Sequence, residues 1–172
     1  TVRMTFLTFQ SLIFHPQITI FLGRNIFYLA FRHGVYVDEN GIESKRFNAK
    51  DGVGILELIK KNIMVGIISH SERGDGIKSR ASYLGIKHCY VGNEAKDEIL
   101  LSWIKDENIT LDEVAFIGDD INDMSIIDIV GFSACPSDSS LPVKNKVSII
   151  LNTKGGYGCV REFSDLYLSQ NN

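Results

Sequence analysis

At 172 residues and 19.2 kDa the chain has the length of one domain with room for a sizeable core. Its 44% hydrophobic and 23% charged residues exclude a disordered, collagen-like or coiled-coil chain, and a net charge of -3 gives no drive toward nucleic acid or an anionic membrane. Cys89, Cys135 and Cys159 are odd in number and widely spaced, which argues against a disulfide scaffold or zinc site and fits a reducing cytosol.

The first 37 residues stand apart from the rest. No acidic residue precedes Asp38, the charged side chains are Arg3, Arg24 and Arg32, and six of the ten phenylalanines fall here. Gln10, His15, Pro16 and Gln17 interrupt the apolar run from Met4 to Gly23, and hydrocarbon tolerates such groups poorly, so no membrane role is expected. No small-residue cleavage site follows the run, which argues against a secretory signal.

From Gly34 onward the pattern is regular. Residues 35–37 and 42–47 read as a projecting β-hairpin, with Asn40-Gly41 supplying the turn. Asp51 is expected to cap a helix whose apolar positions Val53, Ile55, Leu56 and Ile59 have helical spacing. The run 63–68 has the composition of a strand buried on both faces. A helix over 76–84 closed by Gly85, a strand at 89–91 and a helix over 96–106 follow. Then come a strand at 114–117, a helix over 122–130, strands at 132–134 and 148–150, and a helix after Gly155-Gly156-Tyr157-Gly158. This alternation predicts an α/β fold, a Rossmann-like three-layer sandwich around a mostly parallel sheet.

In such sheets ligands bind beyond the carboxyl ends of the strands. There the chain places Ser69-His70-Ser71, Lys96 and the run Gly118-Asp119-Asp120-Ile121-Asn122-Asp123. Three carboxylates within five residues repel one another, and oxygen donors without Cys or His favour Mg²⁺ if a cation resolves the conflict. The loop is not an EF-hand, because the twelfth position from Asp120 is Gly131. The competing reading is that Asp119 or Asp123 caps the following helix. Ser69 and Lys96 together make a phosphate clamp, the hydroxyl donating and the ammonium neutralising charge.

Phe47-Asn48-Ala49-Lys50-Asp51-Gly52, Ile67-Ile68-Ser69, Lys96, Gly118 to Asp123 and Gly155 to Glu162 occur in order and at fitting spacing. The combination resembles the capless haloacid dehalogenase-like phosphatases, closest to the 3-deoxy-octulosonate 8-phosphate phosphatases and their sialic-acid-pathway relatives. The resemblance runs from Gly34 to about Leu168 and implies a cytoplasmic, Mg²⁺-dependent hydrolase of sugar-acid phosphates, assembled as a homotetramer. In that family an aspartate forms an aspartyl-phosphate and a second aspartate acts as acid and base. By position, Ser69 and Lys96 would bind phosphate and Lys96 would steady the reacting phosphoryl group. Asp119, supported by Asp120 and Asp123, would hold the metal, and Lys50 and Arg161 would face substrate.

One departure is large. Counting back from Gly34 puts the family's two catalytic aspartates near Ile26 and Tyr28, which cannot replace them. The second motif departs as well, since Thr-Gly-Arg is usual where Ser69-His70-Ser71 stands; Arg73 is the candidate substitute. The chain is therefore divided into an atypical segment, 1–33, and a phosphatase domain, 34–172. Either the chain is a pseudo-enzyme, its scaffold kept for assembly or partner binding, or the reading frame before Gly34 is corrupted. The missing acids, the phenylalanine excess and Thr1 in first position favour the second. A response-regulator-like phospho-acceptor is a third reading, but it needs an acidic pair after the first strand, and none is present.

Overall fold

The computed structural model describes residues 26–29, 35–41, 43–71 and 74–170; Arg3, Arg24, Arg32 and Arg73 lie outside these. In chain order, β1 (Ile26–Leu29), β2 (Val35–Val37) and β3 (Glu43–Lys45) lead to α1 (Ala49–Lys60). Next come β4 (Met64–Ser69), α2 (Asp75–Tyr83), β5 (His88–Val91), α3 (Lys96–Glu107) and β6 (Val114–Ile117). The chain closes with α4 (Met124–Ile127), β7 (Phe132–Cys135), α5 (Leu141–Lys144), β8 (Ile149–Ile150) and α6 (Cys159–Gln170). Six of the strands form one parallel sheet in the order β5-β4-β1-β6-β7-β8, and β2 and β3 form a separate antiparallel hairpin.

The period-two alternation of the strands divides the apolar residues between two cores. Val65 and Ile67 of β4 and Ala115 and Ile117 of β6 pack with Ile55 and Leu58 of α1, Ile77 and Ala81 of α2, and Val160 and Phe163 of α6. Ile68, Val114 and Phe116 turn to the other face, against Leu100 and Ile104 of α3, Ile126 and Ile127 of α4 and Val143 of α5. Each large side chain buried this way contributes about 2 kcal/mol. The three-layer sandwich expected from the alternation is the architecture observed.

Several local expectations change. β1 is the central strand of the sheet, so the fold includes residues before Gly34. The hairpin turn spans Asp38 to Gly41, where Gly41 N donates to Asp38 O at 3.0 Å and Gly41 alone of the four has positive φ, +74°. Asn48, not Asp51, caps α1, its side chain accepting from Lys50 N at 2.8 Å. The helix expected over 122–130 is one 3₁₀ turn, Ile121–Asp123, followed by four α-helical residues. Beyond it the chain passes close to another segment at Gly131, whose N donates to Leu111 O at 2.9 Å and where a Cβ would lie 2.4 Å from the carbonyl oxygen of Asp112. The short α5 was unforeseen, although Pro142 in its first turn is a helix-start signal.

Candidate active site

The strand order reverses at β1, which opens a crevice between the carboxyl ends of β4 and β6. Leu29 pairs with Ile67 on one side and Ile117 on the other. Ser69 and Asp119 therefore each stand two residues beyond the row of Leu29. Ile26, by contrast, is level with Met64 and Val114, and Tyr28 with Gly66 and Phe116. Ile26 and Tyr28 thus lie further back along β1 than the level of Ser69 and Asp119. The chain from Ala30 to Val37 contains no acid either.

Lys96 opens α3 and is only 4% exposed, and its Nζ donates to Asp123 Oδ1 at 2.6 Å. Asp123, fully buried, accepts on Oδ2 from the backbone amides of Asp119 at 2.8 Å and Asp120 at 3.3 Å. One carboxylate thus ties a buried ammonium to the loop that follows β6. Breaking such a pair by removing one partner costs about 3–5 kcal/mol. The close approach requires glycine at 118, where a Cβ would sit 2.6 Å from the Phe116 ring and 2.7 Å from Asp123 Cβ.

This arrangement revises the expected metal trio. Asp123 is the strut of the loop, with both oxygens engaged and no exposed surface for an ion to reach. Asp120 Oδ1 accepts from Ile121 N at 2.8 Å as the cap of the 3₁₀ turn. Among the described residues no three His, Cys, Asp or Glu side chains converge as a metal cage. What remains is the buried carboxylate of Asp119 with Asp120 beside it, an oxygen-only pair suited to a hard cation that keeps much of its water.

Ser69 ends β4, its carbonyl accepting from Gly92 N at 3.1 Å. His70 Nε2 donates to the carbonyl of Glu94 at 2.8 Å, and the Tyr90 hydroxyl accepts from Glu94 N at 3.0 Å. The loop that delivers Lys96 is therefore held from both neighbouring strands. Sequence reasoning missed this role of His70 and Tyr90; the only signal was a histidine just past a strand end.

Lys50 and Arg161 do not join this cluster. They line a separate groove of about 540 Å³ with Tyr157 and Asp165, and none of Ser69, Lys96, Asp119 or Asp120 borders it. Arg161 Nε donates to both oxygens of Asp165, at 2.7 and 2.8 Å. Beneath the groove Asp51, 2% exposed, accepts from Arg161 N at 3.0 Å. Burial pushes its carboxyl above the ordinary value against the pull of backbone amides at the start of α6. Burial and the nearby Asp51 charge push the Cys159 thiol up to about 12, which makes it inert at neutral pH.

Known proteins share this framework. The haloacid dehalogenase-like hydrolase family profile matches residues 82–158. The 3-deoxy-D-manno-octulosonate 8-phosphate phosphatase of Haemophilus influenzae is 34% identical over 134 residues, 78% of this chain and 74% of that protein. The Yersinia pestis phosphatase of the same name is 36% identical over 134 residues, 78% of this chain and 71% of its own. This chain belongs to the 3-deoxy-D-manno-octulosonate 8-phosphate phosphatase family. The crystal structure of the Yersinia pestis phosphatase superimposes with a TM-score of 0.81 at 32% identity, covering 86% of this chain and 82% of that one. A phosphatase of the family from Moraxella catarrhalis, in complex with magnesium ion, phosphate ion and a KDO molecule, gives 0.79 at 28% identity, covering 84% and 86%. Another, from Haemophilus influenzae, is in a cobalt-bound form and gives 0.78 at 29%, covering 85% and 87%. Relative to the family's first motif, this phosphatase-family chain differs in lacking the strand-end carboxylates.

Proposed function

We propose that this chain binds the phosphoryl group of a sugar-acid phosphate, of the 3-deoxy-octulosonate or nonulosonate type, and hydrolyses it little or not at all. The observation that carries the reading is the buried Lys96–Asp123 pair, set beside Ser69 and Asp119 past a β1 end that has no carboxylate. The Ser69 hydroxyl would donate to a phosphoryl oxygen and the Lys96 ammonium would offset its charge. Asp123 holds that ammonium in place. Asp119, with Asp120, would hold Mg²⁺, which supplies charge neutralisation when bound; with so few protein ligands the affinity is weak. Covalent transfer needs an oxygen nucleophile in line with phosphorus, and the chain from Ile26 to Val37 has no carboxylate to provide one. The general base is lost too, typically a further 10²–10⁴-fold.

Family membership and the cysteine pattern together support a cytoplasmic protein acting on small sugar acids. Among the described residues no helix is long and apolar enough to cross a membrane. A non-catalytic role as an assembly or partner-binding module is the alternative that the missing nucleophile favours.

The test is release of inorganic phosphate from 3-deoxy-D-manno-octulosonate 8-phosphate in Mg²⁺. The unmodified chain should give background rates, and a variant with residues 24–33 replaced by an Asp-x-Asp-Gly strand end should turn over. Robust turnover by the unmodified chain would overturn the assignment. Calorimetry should also show weak Mg²⁺ binding that disappears in Asp119→Ala.

A further inference from the structure

The second motif of this chain has Ser71 where an arginine is usual, and the fold brings a cation to that serine from another element. Lys45 ends β3 of the hairpin, and its Nζ donates to Ser71 Oγ at 2.9 Å, across 26 residues of sequence. Ser71 lies two residues beyond Ser69, in the segment that His70 pins to the loop delivering Lys96. Lys96, by contrast, is paired with the carboxylate of Asp123. Arg46 lies over the Tyr157 ring, 4.8 Å from its centroid. Lys45 is half-buried and is held by a neutral hydroxyl, with no carboxylate against it among the described residues.

A half-buried ammonium with no counter-charge among the described residues is a poor stabiliser but a good anion receptor, because binding an anion offsets its charge. We infer that Lys45 is a second phosphate-binding cation, held by Ser71 at the rim of the Ser69–Lys96 site. The inference rests on the reading that Ser69 and Lys96 bind a phosphoryl group, and it assigns the hairpin a role in ligand binding. Its geometry differs from that of a motif arginine, because the cation comes from β3 and its placement depends on the hairpin staying docked.

The experiment is a titration of the full chain with inorganic phosphate, followed by the amide resonances of Ser69, Ser71 and Gly92. Lys45→Gln should weaken the affinity about tenfold, and Lys45→Arg should restore it to within about threefold. Ser69→Ala should also weaken it, while the unphosphorylated sugar acid should show no dependence on Lys45. Unchanged phosphate affinity in Lys45→Gln, with a loss in Ser69→Ala, overturns the role of Lys45 and leaves the phosphoryl reading standing. A loss in Lys45→Gln that arginine fails to rescue overturns it too, since charge would then not be the cause. If phosphate moves none of these resonances, or if Ser69→Ala has no effect, the phosphoryl site itself is wrong and the inference falls with it.

Discussion

Asp51 is the third residue of α1, but its carboxylate serves α6, accepting from the amide of Arg161. The sequence predicted a cap, and the carboxylate does cap a helix, but not its own. Nothing local could reveal this, since the partner is 110 residues away. Asp51→Ala should cost about 1–3 kcal/mol in a urea titration, because amides at the start of α6 lose their acceptor. Burial raises the folded carboxyl above its unfolded value, so between those two values the folded state holds more protons than the unfolded. Stability should therefore fall as pH rises through that window, and this slope should be absent from Asp51→Ala. An identical slope in the variant would assign the effect to another group.

The segment from Gly118 to Asp123 shows what decides an element. Its charges read as a metal loop, yet the folded turn uses Asp123 to gather two amides and Lys96. Gly118→Ala should test the turn as a unit, since the added methyl meets Phe116 and Asp123 rather than open space. A loss of about 1–3 kcal/mol is expected, with Asp123 displaced and phosphate binding weakened. Wild-type stability in that variant would mean that the turn relaxes without cost. The strands β4 and β6 were legible because unbroken apolar runs have one stable place, the middle of a sheet. The length of α4 was not, because the chain after it is committed to a contact between distant segments, Gly131 against Leu111 and Asp112.

At the scale of the whole molecule the hairpin stands apart from the six-stranded sheet and carries exposed apolar side chains. Tyr36 and Val37 of β2 are 60% and 62% exposed, and an isolated two-stranded hairpin is marginal in water. The proposed homotetramer would give these residues a buried face. Light scattering at micromolar concentration should report about four times the chain mass, falling in Tyr36→Ser; a monomer with its hairpin intact would count against assembly through this surface. The sequence alone determined the α/β class, the parallel sheet and the residues at its carboxyl edge, because hydrophobic period and strand-end chemistry are local. It also showed that no acid precedes Asp38. Tertiary structure alone decided which of those residues meet. Asp123 became a strut, Lys50 and Arg161 went to a separate groove, and Lys45 came to Ser71, because each partner lies on an element whose position only the packed sheet sets.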